Sequence, residues 1–552
     1  MDAFLLKQVV TELREELHGA LVSKIFQPAD REVVLTLWTG REERRLLLSA
    51  DPDLCRIHFS TRKVPNPPTP PRFCQFLRRH LEGMRVEDLS VSPFDRLVRL
   101  DFASLRPDAL HARTTLYAEL YGRHANLIYV DAEGTILEPL RTVPPEESRI
   151  REVAAGIPYR PLPKPERIFL PDFTQADAER IGSPFPSLES LPRALQKEIP
   201  GLGNELAREA AERGKEDPVE LFSAIREFVR RYETGDFAPC IGTLPSGKKR
   251  LMPFPCPAAG FVDFVPFPSV NAAADVFYSD LAAGRELAVL RQQLGTRIAT
   301  LLRKERHKLE NVGGDEERLE EGLIGGERGE TLKANLGELR KGMTEIHRIP
   351  LDPAKSPVEN MNRYFMLHKK AKRAVGIVRK RKREVAETVY YLESLEGQLA
   401  TAQSREDLIA VRQELSQAFP ARKQRGKQKR REDPQVSPVP HVAREEFLGY
   451  AILVGKNNVG NDRIVKELSV PGDLWLHAQG IPGSHVLVKI IPGKETPKEV
   501  IEEAARLAVL HSKAKGASNV HVFLAEARHV SKFKGAKPGL VRITKYRTVT
   551  VR

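Results

Sequence analysis

Two histidine-bearing segments near the C-terminus, Asp473-Leu-Trp-Leu-His477 and Ile481-Pro-Gly-Ser-His485, carry residue types that can serve as acid, base, nucleophile or metal ligand. Ser484, His485 and Asp473 together have the composition of a hydrolytic triad. Adjacent residues of a strand point to opposite faces, however, so Ser484 and His485 cannot form a nucleophile–base pair directly. Metal ligation by His477 and His485, joined by His511 or His521, is a second reading. The preferred reading is a tight Pro-Gly turn that presents polar groups to a ligand; the bland one is a purely structural turn. Upstream, Gly455-Lys456-Asn457-Asn458 through Asn461-Asp462-Arg463 is dense in amides and charge. It suits phosphate contact but lacks the GxxxxGK[ST] of a P-loop, so nucleotide hydrolysis is not expected. In the N-terminal third, Asp95-Arg96 stands just before a strand-like run. Glu119 to Asn126 (ELYGRHAN) links two such runs through a glycine. A strand-edge ion pair and a hairpin turn would account for both.

These residues need elements to hold them. Phe4 to Leu17 has helical spacing, and Val33, Leu35 and Leu37 alternate before a Thr39-Gly40 turn, as in a hairpin. Pro71 and Arg72 open a helix that stops at Gly83. Val86–Val91, Leu97–Phe102, Thr114–Glu119 and Asn126–Val130 read as strands. A proline-rich linker at 157–171 leads to short helices broken by Gly201-Leu-Gly203. That break is either a helix-hairpin-helix whose amides face a phosphate or a simple turn. Hairpin signals surround Ser246-Gly247. Leu287, Leu290, Leu294, Ile298 and Leu301 then follow coiled-coil spacing, and the run is expected to break at Val312-Gly-Gly. Val385, Val389, Leu392 and Leu399 repeat the spacing, and Ser404 to Asp407 offers a capping box. Two antiparallel helices with an insertion over 313–378 are the economical arrangement. Residues 421–440 read as a linker, and the last 110 or so return to mixed helix and strand texture.

The chain has 552 residues, 88 Lys and Arg against 74 Asp and Glu, a formal charge of +14, and 41% hydrophobic residues. That is several domains' worth of chain with enough apolar content for real cores. Four scattered cysteines and no CxxC pair exclude a disulfide framework and the common zinc fingers. No apolar run reaches the roughly 18 residues of a membrane span. The first 26 residues carry Glu12, Glu15 and Glu16 and read as an amphipathic helix, not a signal peptide. Cytoplasmic placement is expected. Basic residues are concentrated: nine of 16 at 369–384, seven of 12 at 421–432, and eight with no acidic residue at 528–552. Three such concentrations point to a nucleic-acid partner.

Motifs along the chain carry a resemblance to a known family. They are Thr69-Pro-Pro-Arg-Phe-Cys74, His80-Leu-Glu-Gly83, Phe94-Asp-Arg96 and Glu119-Leu-Tyr-Gly-Arg-His-Ala-Asn126. Further on come Leu351-Asp-Pro353, Ser356-Pro357, Asn360 to Phe365, Val454-Gly-Lys-Asn-Asn458 and Asn461-Asp462. The two histidine segments and Lys534-Gly-Ala-Lys-Pro-Gly539 complete the series. With them the sequence resembles the NFACT family, which includes RqcH-like bacterial ribosome quality control factors and proteins described as fibronectin-binding.

The resemblance implies a multidomain α+β architecture. An NFACT-N domain (1–172), similar to the DNA glycosylase N-terminal fold, precedes a helix-hairpin-helix region (173–236) and a β-hairpin connector (237–271). Coiled-coil arms (272–312 and 379–419) flank a middle domain (313–378). A basic linker (420–440) leads to an NFACT-R domain (441–552). The resemblance also implies binding to large ribosomal subunits carrying peptidyl-tRNA, recruitment of aminoacyl-tRNA (alanyl-tRNA foremost), and mRNA-independent tailing of the stalled chain. The ribosome would form the peptide bonds, so neither catalytic residue, metal nor cofactor is expected. A small accessory quality-control protein is a further expected partner, and a membrane is not.

By resemblance, Asp95, Arg96, Glu119 and Leu120 fall on tRNA-associated positions. Tyr121 stands where the family commonly has Met; an exposed Tyr121 could stack on a base, and Arg123 could fork to phosphate. In the NFACT-R domain the expected RNA contacts are Lys456, Asn457, Asn458, Asp473, His477, Ser484, His485, Lys534 and Lys537. Three alternatives stand beside this reading: a clearance factor without tailing, a fibronectin-binding surface adhesin and a DNA glycosylase. The last lacks its N-terminal proline, since the chain begins Met1-Asp2-Ala3.

Overall fold

The computed structural model describes residues 1–106, 111–148, 150–163, 167–182, 190–215, 217–420 and 441–551. The basic segment expected at 421–432, with the rest of the linker after residue 420, lies outside the described residues. The chain divides into two compact units, Met1–Ala283 and Gly284–Arg552.

The first unit opens with α1 (Ala3–Leu17), capped by Asp2, whose side chain accepts the Leu5 N–H at 2.9 Å. Leu6, Val9, Leu13 and Leu17 recur at helical spacing and are fully buried. They pack on a nine-stranded antiparallel sheet. Its first strands are β1 (Leu21–Ala29), β2 (Glu32–Trp38), β3 (Glu43–Ser49) and β4 (Arg56–Phe59). After α2 (Arg72–Leu81) come β5 (Met84–Val91), β6 (Leu97–Ser104), β7 (Arg113–Glu119), β8 (Asn126–Asp131) and β9 (Ile136–Pro139). The order β4-β3-β2-β1-β5-β6-β7-β8-β9 is two meanders joined where Leu21 meets Arg85. Val33, Leu35 and Leu37, with Leu46 and Leu48 opposite them, fill the core face.

Four helices follow: α3 (Gln175–Gly182), α4 (Leu191–Glu198), α5 (Asn204–Arg213) and α6 (Pro218–Thr234). They share a second core around Leu195, Leu206, Ala210 and Phe228. A small sheet, β10 (Cys240–Thr243), β11 (Lys249–Met252) and β12 (Asp263–Pro266), covers part of it.

Helix α7 (Val270–Ala334) runs 65 residues and does not break at Val312-Gly313-Gly314, contrary to the sequence expectation. A glycine inside a helix costs only about 1 kcal/mol relative to alanine, and neighbouring turns repay it: Glu316 accepts Arg379 at 3.1 Å and Lys382 at 2.7 Å from the facing helix. That helix, α8 (Pro357–Thr401), starts at a Ser356–Glu359 capping box; α9 (Arg405–Ala418) starts at the expected Ser404–Asp407 box. The long helices thus continue through much of the segment expected to be an insertion. Between them lie residues 335–356, with the short pair β13 (Glu345–Ile346) and β14 (Ile349–Pro350). The leucine seam exists, but α9 joins it: Leu294, Ile298 and Leu302 meet Leu392, Leu395 and Leu399 together with Leu408 and Leu415.

The C-terminal part of the second unit contains β15 (Val442–Phe447), β16 (Tyr450–Gly455) and α10 (Asn458–Arg463), then β17 (Leu474–Ala478) and β18 (Val486–Val488). After α11 (Lys498–Leu510) come β19 (Val520–Glu526), β20 (Val530–Ser531), β21 (Arg542–Ile543) and β22 (Arg547–Val551). Six strands form a sheet in the order β15-β16-β18-β17-β19-β22. Helix α11 seals one face through Val500, Ala504 and Ala508; Trp475, Leu487 and Ile464 build a second core on the other.

Candidate nucleic-acid interface

Asp95 and Arg96 sit in the tight connection between β5 and β6, where Ser92 N–H donates to Leu97 O at 2.9 Å. Phe94 holds this turn. Its φ of 51° is one that a bulky residue adopts only under constraint. Its ring stacks on Tyr232 at 3.9 Å, and its N–H donates to the Tyr232 hydroxyl at 3.0 Å. With Phe94 anchored in the helical core, the next two side chains are presented outward: Arg96 is exposed and Asp95 half-buried.

The β7–β8 connection supplies the second half. Tyr121 donates its hydroxyl to Asp95 Oδ1 at 3.0 Å, and the Arg96 guanidinium lies 5.6 Å from its ring centre. Burial first, then the Asp95 charge, pushes the Tyr121 phenol well above its usual pKa, so it stays a neutral donor. Tyr121 is therefore not the freely exposed stacking platform that the sequence suggested: it is half-buried and Arg96 covers it.

Glu119 and Leu120 have no accessible surface. Glu119 accepts the Tyr159 hydroxyl at 2.9 Å and an ion pair from Arg151; Leu120 N–H donates to Arg96 O at 2.9 Å. Both set the connection in place. Neither offers an atom to a ligand in this conformation. Arg123 is exposed, and its Nε donates to His124 at 3.1 Å.

Asp95, Arg96 and Tyr121 line a cavity of about 1050 Å³. Its other wall includes Gly201-Leu202-Gly203 and the start of α5. The glycines have a steric reason. A Cβ at Gly201 would lie 2.7 Å from the Phe94 carbonyl oxygen, and one at Gly203 would lie 2.4 Å from Asp2 Oδ2. The glycine turn is thus a close-approach device that sets the helical hairpin against the Asp-Arg turn. Sequence reasoning missed Arg167, Asn204 and Arg250, which also line this cavity; their spacing carries no motif.

In the C-terminal sheet, most of the expected RNA contacts prove to be interior. Asn457 caps α10, accepting Gly460 N–H at 2.8 Å. Asn458 donates to Ser394 Oγ and Glu414 Oε1, both at 2.8 Å, and so fastens the polar loop to α8 and α9. Asp473 is fully buried; its carboxylate takes Lys489 Nζ at 2.5 Å and the Val470 N–H at 2.9 Å. Ser484 is buried, its N–H on His511 O.

Strand alternation puts Trp475 and His477 on one face, and His485 meets them there. The His477 ring stacks on Trp475 at 5.7 Å and meets His485 edge-on at 5.3 Å. Burial holds His477 down to about 4, and burial plus its neighbour takes His485 well below its usual value, so both are neutral near pH 7. Asp473 does not reach them, so the triad composition is not a triad. Among the described residues no group of three or more His, Cys, Asp or Glu gathers as a metal site would.

The cations behave differently. Lys456 and Lys534 are exposed. Lys537 is half-buried, with Nζ on Thr388 Oγ1 at 2.5 Å, and burial lowers its pKa. Exposed Arg542, Lys545, Tyr546 and Arg547 continue a basic and aromatic rim. On α8, Lys369, Lys370, Lys372, Arg373, Lys380 and Arg381 are all exposed.

These observations define a multidomain protein with a cavity beside the Asp95–Arg96 turn in its first unit and a basic rim on the C-terminal sheet of its second. The sequence family described as NFACT N-terminal and middle domains matches residues 2–433, and that described as NFACT protein RNA binding domain matches residues 442–545. The chain belongs to the NFACT family. It is similar to the Rqc2 homolog RqcH of Bacillus subtilis, 31% identical over 98% of this chain and 95% of that one. The Rqc2 homolog RqcH of Streptococcus suis is 30% identical over 100% of this chain and 97% of its own. Among solved structures, the N-terminal part of the fibronectin/fibrinogen-binding protein of Streptococcus suis is 28% identical. It covers 51% of this chain and 99% of its own, with a TM-score of 0.42. No described helix is long and apolar enough to cross a membrane.

Proposed function

We propose that this chain is a cytoplasmic ribosome quality control factor. It binds large ribosomal subunits that still carry peptidyl-tRNA and recruits aminoacyl-tRNA, alanyl-tRNA foremost. It thereby promotes mRNA-independent tailing of the stalled chain, which marks that chain for degradation. The ribosome forms the peptide bond, and this chain binds and orients. The observation that carries the reading is the cavity in which Asp95, Arg96 and Tyr121 are locked to one another beside a glycine hairpin. A guanidinium held over an aromatic ring, next to a carboxylate acceptor, suits the splayed bases and phosphates of a single-stranded RNA loop. The exposed lysines and arginines of α8 and the rim around Lys534 and Tyr546 suit phosphate backbone. The names of the full-length relatives, Rqc2 homolog RqcH, support the same role.

The test is affinity recovery of tagged protein at moderate salt with sequencing of the copurified RNA. Large-subunit rRNA enriched over small-subunit rRNA, with one or two tRNA species, is expected. Asp95→Ala with Arg96→Ala should lower tRNA recovery by about tenfold or more, since two charge-assisted contacts go, and should leave rRNA recovery in place. Large-subunit rRNA without tRNA in the unmodified protein would favour a clearance factor. Background RNA only would sink the ribosomal role.

A further inference from the structure

A second concave surface lies on the same N-terminal sheet, on the face opposite α1. Strand alternation creates it. In β1–β4, Ile25, Val33, Leu35, Leu46, Leu48 and Ile57 enter the core, so the residues between them face the other way. Cross-strand register sorts these into rows. Lys24 stands opposite Thr36, and Thr36 opposite Arg45. In the next row Phe26 faces Val34, Val34 faces Leu47, and Leu47 faces His58. Beyond them Glu32 takes Arg56 Nη2 at 2.9 Å. The floor is an apolar strip between two charged ones.

The chain after β4 builds the wall. Asp275 accepts Ser60 Oγ at 3.0 Å and Thr61 Oγ1 at 2.6 Å, which fixes the segment bringing Arg62, Lys63 and Val64 to the edge. Tyr278 closes one end, stacked on His58 at 5.7 Å with Arg56 at 5.2 Å from its ring centre. The cavity, open on one side, has a volume of about 460 Å³ and is lined by five Lys or Arg against two Glu. That is the size of a small-molecule site, roughly 300–1,000 Å³, and too small for an RNA stem.

Three polar atoms of the floor residues are buried without a hydrogen-bond partner: Arg45 Nη1, Arg56 Nε and His58 Nε2. His58 Nδ1 lies 2.6 Å from Phe59 O, so the proton is on Nδ1 and Nε2 is a bare acceptor. Buried polar atoms are almost always paired. None of the three has accessible surface as the protein stands, so a ligand meets the exposed cations and the apolar strip between them, which together suit one that is flat and anionic at one end.

We infer that this cavity binds a single nucleotide unit, with phosphate toward Lys24, Arg45 and Lys63 and base over Phe26, Val34 and Leu47. The unit is either a free nucleotide or one residue of an RNA strand. This inference stands apart from the tRNA reading, because none of its anchors belongs to the Asp95 turn.

Calorimetric titration of the full-length protein tests it, with adenosine 5′-monophosphate and, separately, a short single-stranded oligoadenylate. At least one probe should bind saturably, and Arg45→Glu and Lys24→Glu should each weaken it about tenfold or more. Lys24 is exposed, so its variant serves if Arg45→Glu fails to fold. Arg41→Glu makes the same charge change at an exposed position of the β2–β3 turn outside the cavity, and should stay within about twofold. Binding of the mononucleotide identifies a free nucleotide as ligand. Binding of the oligonucleotide alone, lost in the same two variants, identifies an RNA residue. No saturable binding of either probe, or equal loss with Arg41→Glu, overturns the inference.

Discussion

Tyr121 shows how a departure from a family pattern can be absorbed at the level of one side chain. Its hydroxyl gives Asp95 a partner and its ring gives Arg96 a platform. Tyr121→Phe keeps the platform and removes one hydrogen bond to a carboxylate, about 1.5–3 kcal/mol of positioning. tRNA recovery should fall, and the melting temperature should drop by about a few degrees; full tRNA recovery would mean that Asp95 needs no such support. The sequence made the Asp-Arg and Glu-Leu-Tyr segments legible as a pair of turns. It could not show that Glu119 and Leu120 are interior, because both types occur on strand edges and in cores alike. The buried histidines are a separate matter. The folded pKa of His477, about 4, lies below the unfolded value near 6.5, so the unfolded chain binds the extra proton between them. Stability is therefore complete above pH 6.5. As pH falls toward 4 it is lost at about 1.4 kcal/mol per pH unit for this one group. Urea unfolding between pH 7.5 and 5 should show the slope, and His477→Phe should make it shallower; an unchanged slope would remove His477 as its source.

At the scale of elements, glycine was the hardest residue type to read. Gly313 and Gly314 look like a helix stop, and they interrupt nothing. An added Cβ meets no atom within 4 Å at either, whereas at Gly325 it meets the Tyr364 carbonyl at 3.0 Å and at Gly329 the Phe365 ring at 2.9 Å. The first pair is tolerated; the second lets α7 and α8 approach. Gly313→Ala should stabilise the long helix by up to about 1 kcal/mol. Gly325→Ala with Gly329→Ala should destabilise the pair of helices, because backbone and ring must both give way. Thermal melts of the two variants that moved in the same direction would contradict this account. The leucine seam, by contrast, was legible from spacing alone. What spacing could not reveal is that α9 is a third member of that core, since a two-helix seam and one side of a three-helix core share a periodicity.

Across the whole molecule, the alternation of strands and helices, the antiparallel leucine seam and the C-terminal sheet followed from pattern, the uninterrupted length of α7 did not, and the motifs placed the chain in its family. The role of the C-terminal motifs did not follow. Asn458, Asp473 and His485 read as contacts for RNA, yet their side chains are turned inward, whereas Lys456 and Lys534 of the same motifs are exposed. Polar residues clustered in a loop look alike in sequence whether they bind a partner or bind one another. One bond in that network bears on how the protein can be dissected. The amide of Asn458 reaches Ser394 and Glu414, and Lys537 reaches Thr388, so the sheet after residue 441 is completed by side chains from α8 and α9. A fragment cut at residue 441, the natural place to trim an RNA-binding domain, would leave an amide and an ammonium group facing water on a surface shaped for two helices. Its affinity for RNA would then report an artificial cationic patch along with the native one.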